Sequence, residues 1–309
     1  MRDITVSVED LCEILGVKSL SMSLLEIFKN ESPIVYRNLS TVETQGVIEE
    51  ITQKINDPNT RKAGPEFKDN WEANWNENLS KFEKGTDDHA LIPAFISSSE
   101  ILRFRGNYIQ PKVPNFEMKI VRILRQYLYE NFFTQVDELH EFGAGTGFNL
   151  IQFCEVFPGK LAHGYDWSPS AIELIKKAGA VKGFQIETSL FDMFNPDYKI
   201  RISNNAGLLT VGAMEQLGTN WKAFLDFMIS KQFKVYVNIE TIYEYSQSHE
   251  LYAEITRDYI KRRNWLQGYH QELRHLESEG VIEILTQQVV IGSRFHDSWS
   301  YTVWKLKNV

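Results

Sequence analysis

Three glycines spaced two apart, Gly143, Gly145 and Gly147, follow a short apolar run at 136–142 and precede a helical apolar pattern that begins at Phe148. A strand, a tight turn and a helix start in that order point to an α/β chain with a ligand loop at a strand end. Glycine reaches positive φ without steric cost and lets the backbone close on a ligand. The helix start offers unpaired N–H groups to an anionic group. A dinucleotide loop reads G-x-G-x-x-G or A, its last small residue letting the helix pack on the sheet. Here Phe148 stands at that sixth position and is too large for the role. An acid, Glu141, sits two residues before the first glycine.

The elements that follow keep the same logic. A second strand at 161–165 ends at Asp166, with Ser168 as a helix cap and Pro169 in the first turn. An acid about 20 residues past a glycine loop is where a ribose diol is bound, because a carboxylate accepts two hydrogen bonds at once. A third strand at 184–190 ends at Phe191-Asp192-Met193. A fourth at 206–211 leads into Gly212-Ala213-Met214-Glu215, and a fifth at 233–239 ends at Glu240. Residues 248–279 read as one long or broken helix, with Gly268 as the candidate break. Two alternating stretches, 281–291 and 299–306, then read as a terminal hairpin.

The pattern E-x-G-x-G-x-G at Glu141 to Gly147, followed in register by Asp166, Ser168, Ala171 and Ile172, is similar to the class I S-adenosylmethionine (SAM)-dependent methyltransferases. The resemblance covers roughly residues 105–309. It implies a Rossmann-like α/β fold: a seven-stranded, mostly parallel sheet in the order 3-2-1-4-5-7-6 with an antiparallel terminal hairpin. It implies SAM as cofactor and S-adenosylhomocysteine as product. Glu141, Gly143, Ala144, Gly145 and Gly147 would then surround the methionine part, with Glu141 near the amino group. Asp166 and Trp167 would lie at the ribose, and Asp192 and Met193 at the adenine. Val211 and Gly212 would face cofactor and acceptor. Upstream, Arg103 or Arg105 would pair with the methionine carboxylate, and Tyr108 would close the site.

The chemistry implied is direct in-line transfer to an oxygen or nitrogen of a small molecule or glycan. A sulfonium methyl is already activated, so the protein has to position, exclude water and remove a proton. Glu215, Glu240 and His296 are the candidate bases. His140, inside the first strand, reads as a core histidine. The seven histidines show no metal-ligand spacing, and no metal is expected. Other readings are a peptide or protein side-chain methyltransferase, a non-catalytic SAM-binding or partner-binding scaffold, and an NAD-dependent oxidoreductase. Phe148 and the hairpin oppose the last.

The net charge of −8 gives no bulk attraction to nucleic acid or anionic membranes. The cluster Arg257, Lys261, Arg262 and Arg263 reads as a solvated helix face. Two cysteines, Cys12 and Cys154, exclude a disulfide framework. No apolar run of about 20 residues and no signal-peptide pattern occur, so a cytoplasmic protein without a membrane span is expected. Residues 1–105 read as a mainly helical region, a docking element or substrate lid, ahead of a catalytic domain at 106–309. Trp71 and Trp75 share one helical face there. With Tyr243, Tyr245, Trp265 and Tyr269 they offer stacking surfaces for an acceptor. Oligomeric state is left open.

Overall fold

The computed structural model describes residues 2–85, 88–93, 96, 100–245 and 250–307. Its strands are β1 (Ile4–Thr5), β2 (Val35–Asn38), β3 (Leu102–Phe104), β4 (Asn107–Pro111), β5 (Glu138–Phe142), β6 (Leu161–Asp166), β7 (Ile186–Leu190), β8 (Ala206–Val211), β9 (Val235–Ile239), β10 (Ile282–Val289), β11 (Ile291–Ser293) and β12 (Ser300–Leu306). Its α-helices are α1 (Val8–Leu15), α2 (Met22–Glu31), α3 (Thr41–Asn56), α4 (Lys68–Gly85), α5 (Phe116–Phe132), α6 (Phe148–Val156), α7 (Pro169–Lys182), α8 (Lys222–Lys231), α9 (Glu250–Arg263) and α10 (Tyr269–Ser278).

The main sheet has seven strands in the order β10-β12-β9-β8-β5-β6-β7. The strands β7, β6, β5, β8 and β9 pair in parallel, and β12 lies antiparallel to both β9 and β10. Counted in chain order within the sheet, this is the expected 3-2-1-4-5-7-6. Helices cover both faces, so the inner strands are apolar along their length; every residue of β9 is buried. The parallel register brings the carboxyl ends of β5, β6, β8 and β9 to one edge, where open α/β sheets bind ligands.

The N-terminal region is mainly helical, as expected, with α1, α2, α3 and α4, and it also carries short strands that the sequence does not announce. It supplies β1, β2 and β3 to a second sheet of order β1-β2-β4-β3-β11, antiparallel throughout. The expected boundary at 105/106 falls in the hairpin between β3 and β4, where Arg105 (φ 50) and Gly106 (φ 73) reverse the chain. After Val290 the strand that began in the main sheet continues as β11 in the second one, so the two sheets share one stretch of chain. These strands are only two to five residues long. Strands so short carry too little periodicity to read from the sequence.

Helix α4 docks on α7. The Glu72 carboxylate accepts from Ser168 Oγ (2.5 Å), Ser170 Oγ (2.6 Å) and Ser170 N (3.3 Å) at the α7 N-terminus, where negative charge is favoured. Phe82 and Leu91 pack with Ile151, Leu174 and Ala178 beneath it. Of the two readings of 248–279, the broken helix is the one observed, as α9 and α10. Gly268 (φ 81) caps the start of α10, and the expected start at Ser248 lies outside the described residues. Among the described residues no helix is long and apolar enough to cross a membrane.

One buried amide ties the parallel strands to the hairpin. Asn238 Oδ1 accepts from Trp304 Nε1 and Tyr269 OH, both at 2.8 Å, and its Nδ2 donates to Thr210 Oγ1 at 3.0 Å. Asn238→Leu keeps the volume but strips the Trp304 indole of its acceptor. Urea unfolding is expected to show a loss of about 1–3 kcal/mol; a loss below about 0.5 kcal/mol would mean the network contributes little.

Candidate active site

The strand ends open on a cavity of about 440 Å³. Its floor is the glycine loop. Gly143 N and Ala144 N both donate to Tyr165 O, at 2.7 and 2.9 Å, so the loop folds back onto β6. This needs Gly143 at φ 75, and a Cβ there would lie 2.2 Å from Ala213 Cβ. Asp166 braces the loop from the side. One carboxylate oxygen accepts from Gly145 N (2.9 Å) and the other from Ser168 N (3.0 Å). Burial pushes the Asp166 carboxyl up to about 6, against the lowering effect of those N–H groups.

Of the residues expected at the cofactor, Gly143, Ala144, Gly145, Asp166, Trp167, Met193, Val211 and Gly212 all line the cavity. Five do not. Gly147 caps α6 at φ 77, and its missing side chain makes room for Ile175, which a Cβ would meet at 2.9 Å. Glu141 is fully buried beneath the loop and accepts from Asn149 Nδ2 at 2.6 Å; Asn149 lines the cavity in its place. Asp192 accepts from Phe194 N (2.9 Å) and Asn195 Nδ2 (3.2 Å) and so closes its own turn. Arg105 pairs with Asp10 and Glu13, both at 2.5 Å, on the second sheet. Tyr108 is buried between Arg103, whose Nη2 donates to its hydroxyl at 2.8 Å, and Tyr252. Arg103 itself is held by Thr256 and lies 3.8 Å from Asp297. The hairpin that carries these residues belongs to the second sheet, which turns them away from the strand ends.

Among the candidate bases, Glu215 and His296 line the cavity and Glu240 does not. The Glu240 side chain is fully buried and accepts from Ala213 N and Glu215 N, each at 3.2 Å, so it holds the loop after β8. Burial, then the charge of Glu240, pushes Glu215 up to about 8. His296 shares a 3.0 Å hydrogen bond between Nδ1 and Thr241 Oγ1. Burial, with Arg103 and Arg263 nearby, pushes His296 down to about 3, so the ring is neutral at physiological pH.

Several wall residues were not legible from the sequence: Glu117, Asn149, Arg263, Tyr259 and Trp299. Arg263 departs from the solvated helix face that its sequence context suggests. The chain leaves α9 at Asn264 (φ 54), and Arg263 enters the wall with its guanidinium 4.6 Å from the Trp265 ring centre. Trp71 and Trp75 stack at 5.3 Å and both line the cavity, Trp75 against Gly145. Trp265 lines it too. Tyr269 is instead a core residue, and the side chain of Tyr245 lies outside the described residues.

Away from the cavity, Glu138, His140 and His163 place possible ligand atoms within 4.8 Å of one another. The two imidazoles stack in parallel at 4.1 Å and 6°. In-plane lone pairs on parallel rings do not converge on one ion. His140 is satisfied within the core by Tyr165 OH (3.1 Å) and Glu138 (2.9 Å).

No protein-family model matches this sequence, and no curated protein does either. Among solved structures, geranyl diphosphate methyltransferase in complex with GPP and sinefungin is similar at 11% identity and a TM-score of 0.46, over 77% of this chain and 97% of that one. The [4+2]-cyclase SpnF is similar at 12% identity and 0.47, over 71% and 74%. A SAM-dependent methyltransferase from Aquifex aeolicus is similar at 14% identity and 0.40, over 58% and 87%. The sheet order itself defines the class: the chain has the Rossmann-like fold of the class I SAM-dependent methyltransferases.

The buried acids make stability depend on pH. Burial pushes Glu117 and Glu240 up to about 7, and Glu141 and Glu215 up to about 8, from an ordinary 4.5. Folded carboxyls therefore hold protons that the unfolded chain has lost, and the stability they contribute disappears as pH rises through those values. Above about pH 7 histidines are largely neutral in both states and do not offset this. The melting temperature of the ligand-free protein is expected to fall between about pH 7 and about pH 9. A flat or rising profile would show that these acids ionise normally.

Proposed function

We propose that this chain is a SAM-dependent methyltransferase acting on an oxygen or nitrogen of a small-molecule acceptor. The observation that carries the reading is the coupling of Asp166 to Gly145 in the wall of one cavity at the parallel strand ends. Loop and acid arrive from different strands and meet where a nucleoside with a charged tail needs them.

The residues fit the cofactor. The cradle at Gly143 is one that a Cβ would fill. Asp166 keeps lone pairs for a ribose diol beyond the two backbone N–H groups that it accepts. Trp167 and Phe194 are near parallel at 6.1 Å, and with Met193 they offer flat apolar surface to an adenine ring. When bound, SAM supplies a methyl group already activated by its sulfonium.

The chain's own work is then placement and desolvation. Trp265, Tyr259 and Phe295 give the far part of the cavity an apolar, aromatic wall that orients a flat acceptor and excludes water. We assign the neutral His296 ring, held by Thr241, as proton acceptor; burial weakens it as a base, so it acts as the methyl bond forms and the acceptor proton becomes strongly acidic. A general base is worth about 10²–10⁴-fold. Glu215 holds its own proton near neutrality and is better suited to donating a hydrogen bond to the acceptor. A cavity of this size suits a metabolite-sized acceptor more than a peptide or glycan chain.

Calorimetric titration with SAM, S-adenosylhomocysteine and NAD tests the reading. Micromolar binding of both adenosyl ligands and none of NAD is expected. Asp166→Ala should weaken adenosyl binding by more than about tenfold while the protein stays folded. No adenosyl binding by the wild type would leave a partner-binding scaffold as the better account. For the chemical step, His296→Ala should lower turnover by about 10²-fold or more with little change in SAM affinity; a wild-type rate on the identified acceptor would retire His296 as base.

A further inference from the structure

A SAM-type cofactor carries an α-ammonium group, and a buried cation needs an acceptor. The sequence points to Glu141 for this, but Glu141 lies beneath the loop behind Asn149 and does not reach the cavity wall. Among the described residues, the carboxylates in the wall are Glu117, Asp166 and Glu215. Asp166 gives one oxygen to the glycine loop at Gly145 N and the other to Ser168 N. Glu215 Oε1 accepts from Gln216 Nε2 at 3.2 Å, and the side chain lies in the field of Arg263.

Glu117 is different. It is 7% exposed, Oε1 accepts from Trp299 Nε1 at 2.8 Å, and Oε2 is buried with no hydrogen-bond partner. Buried polar atoms without partners are rare and call for an explanation. Its place in the fold supplies one. Further down α5, Arg125 Nη1 donates to Phe148 O (3.2 Å) and Asn149 Oδ1 (2.9 Å), at the glycine-loop end of α6. Glu117 lies eight residues earlier on α5, about 12 Å along the axis. The helix thus carries this carboxyl into the wall of the same cavity that Phe148 and Asn149 line.

We propose that Glu117 receives the α-ammonium of the adenosyl cofactor, with Oε2 as the acceptor and Trp299 fixing the other oxygen. The inference rests on the cofactor reading above. It makes α5 a cofactor-binding element and gives the charged tail an anchor outside the glycine loop. A charge-assisted hydrogen bond in a water-poor site adds both affinity and orientation.

The test compares three probes on the full-length protein by calorimetry. They are S-adenosylhomocysteine, its analogue lacking only the amino group, and 5′-methylthioadenosine, which lacks the whole amino-acid tail. Wild type is expected to bind S-adenosylhomocysteine at least about tenfold tighter than the deamino analogue. Glu117→Gln keeps the shape and the Trp299 contact, and it should close that gap while leaving 5′-methylthioadenosine within about twofold of wild type. If the Gln variant does not fold, Glu117→Asp withdraws the carboxylate by one methylene and should narrow the same gap. No gap in the wild type, or a gap unchanged in a folded variant, overturns the assignment. Equal loss of all three probes also overturns it, since that reports a damaged cavity. A wild type that binds none of them instead removes the cofactor reading on which the assignment stands.

Discussion

The hydrogen bond from Gly145 N to the Asp166 carboxylate, with the two loop N–H groups that converge on Tyr165 O, is the constraint on which the rest of the site depends. It locks the turn after β5 to the end of β6. Everything else in the wall is arranged around that fixed corner. Trp75 packs on Gly145, Ala213 fills the space that a side chain at Gly143 would take, and Glu72 holds α4 against the helix that Ser168 caps. The N-terminal region is therefore part of the site's construction and does not sit beside it.

The second recurring theme is buried acid. Glu141 lies near the end of β5, Glu215 and Glu240 follow β8 and β9, and Glu117 sits on α5; burial raises all four. Glu240 gives its oxygens to backbone N–H groups and thereby shapes the segment after β8. Glu141 orients Asn149, whose Oδ1 accepts from Arg125. Carboxylates in such places are costly unless they are paired or meet a ligand. Here Glu240 and Glu141 meet that cost by hydrogen bonds that fix the segments around the cavity.

The expected residues that missed the cavity did so for a common reason. Glu141, Asp192 and Glu240 each stand at a strand end, as a ligand-binding acid should, but each carboxylate is taken up by N–H groups within the protein: the Asn149 amide for Glu141, the Phe194 backbone for Asp192, and the Ala213 and Glu215 backbone for Glu240. Sequence spacing does not say which N–H groups will reach it first. Arg105 and Tyr108 failed differently, because β3 and β4 join a sheet whose other members come from residues 4–38 and 291–293. No local pattern announces pairing across such separations.

What the sequence determined alone is the main sheet and its ligand edge. Short apolar runs, glycines at the turn and an acid in register are local signals, and local signals survive without a structure. They located the parallel strands and the turn after β5, and the family resemblance supplied the sheet order. What only the tertiary structure decided is the part of the cavity wall away from the glycine loop and the identity of its charged groups. Glu117, Arg263, Trp265, His296 and Trp299 come from α5, from the end of α9 and the chain after it, and from the loop before β12. They meet only because the helices pack on the sheet as they do. Contacts made by packing depend on volumes and angles summed over the whole chain, and no window of sequence contains them.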